Sequence, residues 1–129
     1  DLRDVRPRVR REGSDITLVS TGYGTSTCLS AAELIGDLTC EVVDVPVIHP
    51  MTSEDCEVIR ESYGRTGRLL VVDGAWGSCG WAASVAATMG GGQTLTLASV
   101  PAPTSGGLES DYYRPVQAES VAAKVRELV

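Results

Sequence analysis

At 129 residues the chain is long enough for one domain that buries about two thirds of its unfolded surface. With 43% hydrophobic and 22% charged residues it has the composition of a soluble globular protein. A net charge of −6 argues against a nucleic-acid partner or an anionic membrane surface, and no apolar run approaches the ~20 residues of a membrane-spanning helix.

In chain order, Val5–Arg10 alternates weakly and predicts an edge strand. Around it Arg3, Arg6, Arg8, Arg10 and Arg11 interleave with Asp1, Asp4 and Glu12, as on a solvated or interfacial strand. The chain opens at Asp1 without an initiator Met or a signal-peptide pattern, as a fragment or a processed form would. Ile16–Ser20 is apolar and β-rich. It breaks into the turn Thr21-Gly22-Tyr23-Gly24-Thr25, and a helix follows over Ser26–Ile35, with Cys28, Ala31, Ala32 and Ile35 at helical spacing before Gly36. Cys40–Val45 is the next strand, and the two prolines of "PVIHPM" exclude a helix after it.

Thr52-Ser53-Glu54-Asp55 predicts a capped helix start, running toward Tyr63 and the glycines of "YGRTG". Arg68–Asp73, "RLLVVD", is a nearly continuous apolar run of the kind buried on both faces of a parallel sheet. A small-residue helix over Ser78–Met89, a strand over Gln93–Ala98 and a final helix over Ala118–Val129 complete the pattern. Strand and helix alternating with short links predict one α/β domain spanning residues 1–129, an open sheet covered on both sides by helices.

In such a sheet ligands bind at the carboxyl ends of the strands. That edge collects Gly22, Tyr23, Gly24 and Thr25, then Asp44 to His49, then Asp73 to Trp76. Two glycines before a helix start can cradle an anion, and Asp44 lies about twenty residues on, where dinucleotide folds place a ribose-binding acid. The third glycine of that fingerprint is missing, because position 27 is Thr, and no P-loop lysine follows. An ordinary strand-to-helix corner explains the same residues. His49 is the one imidazole, on a loop at this edge, either solvated or chemical. Asp73 either orients a ligand or caps the next turn. Trp76, Trp81, Tyr112 and Tyr113 read equally as core lids or as a protein interface.

Cys28, Cys40, Cys56 and Cys79 lack CxxC spacing, so no Cys/His metal site is expected. All four lie in or beside predicted core segments, which predicts reduced, buried thiols in a cytoplasmic protein. Near a helix start, Cys79 is either an activated or a structural thiol. No Ser/His/Asp, Cys/His or paired-carboxylate set emerges. The residues alone describe a binding or assembly domain.

The order of segments nevertheless resembles a known family. "GSDITLVSTGYGTSTCLSAAELI", "CEVVDVPVIHPM", "RTGRLLVVDGAWGSCGWAASVAA" and "PAPTSGGLESDYYRP" are together similar to the third, C-terminal domain of the transketolase family. Within it the similarity is strongest to the beta subunits of thiamine-diphosphate-dependent 2-oxoacid dehydrogenases of the pyruvate, branched-chain and acetoin types. It runs from about Arg8 to Val129.

The resemblance implies a three-layer α/β/α fold on a five-stranded, mostly parallel sheet, with the first strand antiparallel. It implies an enzyme that cleaves a carbon–carbon bond of a 2-oxoacid or ketose. Thiamine diphosphate and Mg²⁺ are then held by two other domains, while the third supports the dimer and contacts partner subunits. Neither a GDG-type pyrophosphate motif nor the segment with the pyrimidine-binding glutamate is present, so this chain alone is expected to hold neither cofactor and to be inactive. Arg65, Trp76, Trp81, Tyr112 and Tyr113 become interface candidates, and Gly22, Tyr23, Gly24, Thr25, His49 and Asp73 become anion or domain contacts. The chain departs from the family at Pro46 for an arginine, Gly74 for a glutamate, Ser84 for a glutamate and Ser99 for an aspartate. The stretch between Met89 and Leu95 is also short.

The expected role is thus the assembly domain or subunit of a thiamine-diphosphate-dependent enzyme. Its partner would be a larger chain carrying the pyrophosphate- and pyrimidine-binding domains, with a homodimer contact as a further option. A free-standing module for a phosphorylated ligand or nucleotide, and a purely structural dimerisation unit, are the rivals.

Overall fold

The computed structural model describes residues 5–75, 77, 79–95 and 116–129. Its sheet is built from β1 (Arg8–Arg11), β2 (Ile16–Ser20), β3 (Cys40–Asp44), β4 (Leu69–Val72) and β5 (Gln93–Leu95), in the order β1-β3-β2-β4-β5. The connections and the chain end supply α1 (Tyr23–Ile35), α2 (Ser53–Thr66), α3 (Trp81–Thr88) and α4 (Ala118–Leu128). β1 runs antiparallel to β3, and every other pairing is parallel. This is the expected α/β fold with an antiparallel first strand.

The central strands are buried along their whole length, because each has helices above and below. On one face α1 and α4 close over Ile16, Leu18, Val42, Leu70 and Val72. On the other, α2 and α3 close over Val19, Val43, Ile59, Val71 and Val85. A hydroxyl cluster is built into the α2 layer: Thr17 Oγ1 lies 2.8 Å from Ser62 Oγ and 2.7 Å from Thr66 Oγ1, so each of these three buried hydroxyls has a partner.

The element boundaries differ from the sequence reading where glycines act. α1 starts at Tyr23 rather than Ser26, because Gly22 turns the chain within one residue at φ 53, ψ −124, a conformation closed to side chains. Gly24 and Thr25 therefore belong to the helix and not to a turn. α2 runs through Gly64 to Thr66 and stops where Gly67 takes the left-handed conformation, its N–H bonding Tyr63 O at 2.8 Å. The capped start is as expected: Thr52 Oγ1 accepts from Asp55 N–H, and Asp55 Oδ2 accepts from Thr52 N–H. α3 begins at Trp81, three residues after Ser78, because Gly80 is extended and Cys79 stands at φ 59. Positions 96–98 of the strand expected over Gln93–Ala98 lie outside the described residues.

The carboxylates that hold loops in place set the acid limit of the fold. Asp15 accepts from the Thr39 hydroxyl and amide, both at 2.6 Å, and these bonds hold its carboxyl below the usual range. Asp37 is lowered by the Arg126 guanidinium, which also bonds Ile35 O and so fastens α4 to the end of α1. Burial pushes Asp55 up, but the Thr52 amide and hydroxyl and the nearby Arg6 outweigh it, and its carboxyl too ends up low. All three titrate below their unfolded value of about 4. The stability they add is thus full above about pH 4 and is lost as pH falls through the folded values. An acid titration followed by circular dichroism should show unfolding beginning below about pH 4, with a shallower acid limb in Arg126→Met. Constant stability down to about pH 2 would contradict this linkage.

Candidate functional site

The sheet order creates a switch point at its carboxyl edge. The chain leaves β2 through α1 toward β3, and leaves β4 through α3 toward β5, on opposite faces. A crevice opens between such diverging connections. Here it is a cavity of about 240 Å³ lined by Thr21, Tyr23, Gly24, Gly74, Val116 and Gln117. Next to it a hydroxyl-rich groove of about 430 Å³ runs between α1 and α4 past Ser26, Ser30 and Glu119. Tyr23 stands in both walls and is 86% exposed, the most exposed of the large hydrophobic side chains described.

Beneath this surface the corner is tightly built. Ser20 Oγ donates to Val72 O at 2.6 Å and locks β2 to β4 at their ends. A Cβ on Gly24 would stand 2.1 Å from Ser20 Oγ, so glycine allows α1 to start directly above the sheet. Thr25 donates its hydroxyl to Asp44 Oδ1 at 2.9 Å, and Arg10 of β1 approaches Asp44 Oδ2 at 3.9 Å. Asp44 thus ties β1, β3 and α1 together. Asp73 is buried and equally engaged: Oδ1 accepts from Ala75 N–H and Oδ2 from Ala82 N–H, both at 3.1 Å. That carboxylate ties the end of β4 to Ala75 and to the start of α3.

His49 lies apart from these residues, in a second cavity of about 350 Å³ between the loop after β3 and the helices α2 and α3. Met51, Cys56, Cys79, Trp81 and Ser84 share its walls, and Trp81 Nε1–H points at Met51 Sδ, 3.3 Å away. Arg65 is at the other end of the domain. It sits in the last turn of α2 and bonds the buried Glu41 carboxylate at the start of β3 with a 2.5 Å contact. The candidate residues therefore divide among three places and form no single constellation. Trp76, Tyr112 and Tyr113 lie outside the described residues.

Three cysteines are buried and free, but Cys79 is exposed, which corrects the expectation of four buried thiols. The late start of α3 leaves Cys79 in the link, outside the core. Sequence reasoning missed Ser20, Met51 and Gln117. None belongs to a chemical motif: only the packing of distant segments brings Met51 and Gln117 to the cavity walls and sets Ser20 beneath the corner. Among the described residues no group of three or more His, Cys, Asp or Glu side chains could hold a metal ion. Nor is any described helix long and apolar enough to cross a membrane.

Five strands in this order, with one antiparallel edge and a crevice at the switch point, define an open, mixed α/β domain. The chain belongs to the family described as "Transketolase, C-terminal domain", whose pattern matches residues 6–125. It is 37% identical over 81 residues to the "Pyruvate dehydrogenase E1 component subunit beta" of Rickettsia conorii, covering 61% of this chain and 24% of that protein. With the mitochondrial subunit of the same name from Homo sapiens it shares 31% over 99 residues, covering 75% of this chain and 27% of the relative. Among solved structures, "Split gene transketolase, inactive beta4 tetramer" superposes with a TM-score of 0.80 at 25% identity, over 95% of this chain and 41% of that one. The transketolase of Campylobacter jejuni gives 0.64 at 13% identity over 98% and 19%, a likeness of fold. The chain thus spans about a quarter of the length of the curated relatives it matches.

Proposed function

We propose that this chain is the assembly section of a thiamine-diphosphate-dependent enzyme acting on a 2-oxoacid or ketose, and that its surface joins the other domains rather than holding the cofactor. The observation that carries this reading is the extent of the family match: it takes in residues 6–125, yet the matches take in only about a quarter to a third of each curated relative. The described residues do not fit a magnesium diphosphate site, having no metal-capable cluster, so no chemical step is assigned to them. The exposed rim around Tyr23 is the surface we assign to the neighbouring domain, with the cavity around His49 and Trp81 second. Cofactor and magnesium would be held by a larger chain with the pyrophosphate- and pyrimidine-binding domains. A cytoplasmic setting, with its reducing conditions, stays part of the proposal; the human relative is named as mitochondrial.

The rival module for a phosphorylated ligand finds less support, because the carboxylates it would use, Asp44 and Asp73, are already held by Thr25, Arg10 and main-chain N–H groups.

Mixing this chain with a chain carrying the other two domains should give a stable complex and thiamine-dependent turnover that neither shows alone. Tyr23→Ala should weaken that association at least about tenfold, a loss of roughly 1.4 kcal/mol typical of an interface anchor. Its thermal unfolding should stay within about 0.5 kcal/mol of the parent, since Tyr23 is a surface position. A chain that binds no such partner, but binds a sugar phosphate as a monomer, would overturn the reading.

A further inference from the structure

The cavity between α2 and α3 sets two thiols of opposite accessibility around one space. Cys79 is exposed, lies outside any helix or strand, and stands in the left-handed region at φ 59 between Gly77 and Gly80. Cys56, in the second turn of α2, is only 7% exposed and lines the same cavity of about 350 Å³. Its thiol has no hydrogen-bond partner among the described residues, and it faces a space large enough for several water molecules. We propose that this cavity is a peroxide-responsive thiol site, in which Cys79 is oxidised first and Cys56 closes a disulfide onto it.

The other two thiols are set against this chemistry. Cys28, on the buried face of α1, and Cys40, at the start of β3, lie in the core on the far face of the sheet. Burial pushes the Cys28 thiol up to about 12 and raises that of Cys40 as well, and a thiol that stays protonated is a poor nucleophile. Accessibility therefore selects Cys79 as the first group attacked, and the shared cavity selects Cys56 as its partner.

In the first step the Cys79 sulfur attacks one oxygen of hydrogen peroxide. The O–O bond breaks, a sulfenic acid forms, and the released hydroxide takes the thiol proton as water. In the second step the Cys56 sulfur attacks the Cys79 sulfur, the S–O bond breaks, and the hydroxyl leaves with the Cys56 proton as water. Two thiols and one peroxide become one disulfide and two waters. A disulfide requires its Cα atoms within about 4.4–6.8 Å, so the linked form holds Cys79 against α2. The product would staple that link onto α2 and fill the space beside His49 and Trp81. The proposal needs this cavity open to solvent, and so places the neighbouring domain on the rim around Tyr23 rather than here.

The test is non-reducing peptide mapping of the full chain, alone and in its complex, after treatment with hydrogen peroxide. A Cys56–Cys79 linked peptide is expected, with Cys28 and Cys40 still free to alkylate after denaturation. In Cys56→Ser the sulfenic acid on Cys79 should persist, and its capture by dimedone should rise at least about tenfold over the parent. In Cys79→Ser, Cys56 should remain reduced. A wild-type map without the linked peptide overturns the proposal, whether or not either variant folds. Oxidation of Cys56 at the same rate in Cys79→Ser overturns it too.

Discussion

Gly13→Ala is expected to cost about 3 kcal/mol or more, the upper end of what overpacking does to a well-packed site. A Cβ on Gly13 would stand 2.3 Å from both the Cys40 carbonyl carbon and the Glu41 nitrogen, and 2.7 Å from Cys40 O. Those atoms are main chain at the start of β3, and a main chain cannot rotate away as a side chain can. β3 is moreover held on both sides, by β1 and by β2 in register from Ile16 against Cys40. The turn that Gly13 occupies is pinned as well, with Ser14 and Asp15 N–H both on Thr39 O at 3.2 and 3.0 Å. The methyl group can be admitted only by parting β1 and β2 from β3 at one end. Against a total stability of about 5–15 kcal/mol this is a large fraction. Gly64→Ala is the control: it is a helical position with nothing within 4 Å of the added carbon, and alanine there should stabilise by roughly 0.5–1 kcal/mol. Urea unfolding of the two variants should thus shift in opposite directions. A Gly13→Ala chain within about 1 kcal/mol of the parent would show that the turn relaxes freely.

Asp73→Ala should cost about 2–4 kcal/mol, because it strands two main-chain donors that its buried carboxylate now satisfies. One donor, Ala75, lies in the link after β4. The other, Ala82, opens α3, whose own N-cap is Gly80 with no side-chain bond. The carboxylate is therefore the cap that the local sequence does not provide. Asp73→Asn should fall between, since its amide oxygen can serve only one of the two N–H groups. With the link released, Cys79 should label faster with a thiol reagent at neutral pH. If Asp73→Ala unfolds like the parent but loses association with the partner chain, Asp73 is a contact residue and not the fastening of the link.

Much of this architecture was legible in the one-dimensional pattern. "ITLVS" and "RLLVVD" read as buried strands because residues covered on both faces must all be apolar or paired. "TSED" read as a capped start because a short hydroxyl side chain and an acid three residues on satisfy free N–H groups locally. The starts of α1 and α3 were not legible. Gly22 and Cys79 adopt positive φ, and propensity does not report which of several glycine-rich positions turns the chain. The candidate site was the least legible part. His49 and Asp73 were grouped at the carboxyl edge of the sheet and Arg65 was an interface candidate from the resemblance, but His49 lines a separate cavity and Arg65 is spent on Glu41 at the opposite edge of the sheet.

The sequence by itself determined the alternation of strands and helices and membership in the transketolase C-terminal domain family, because periodicity and segment order are properties of the chain read in line. Only the tertiary structure decided which polar groups are free. Asp44 and Asp73 carry the chemistry of ligand residues, yet their oxygens are taken by Thr25, Arg10, Ala75 and Ala82. Tyr23, one residue past a glycine, is left standing in solvent instead. A carboxylate's availability depends on donors brought up from elsewhere in the chain, and folding alone places them.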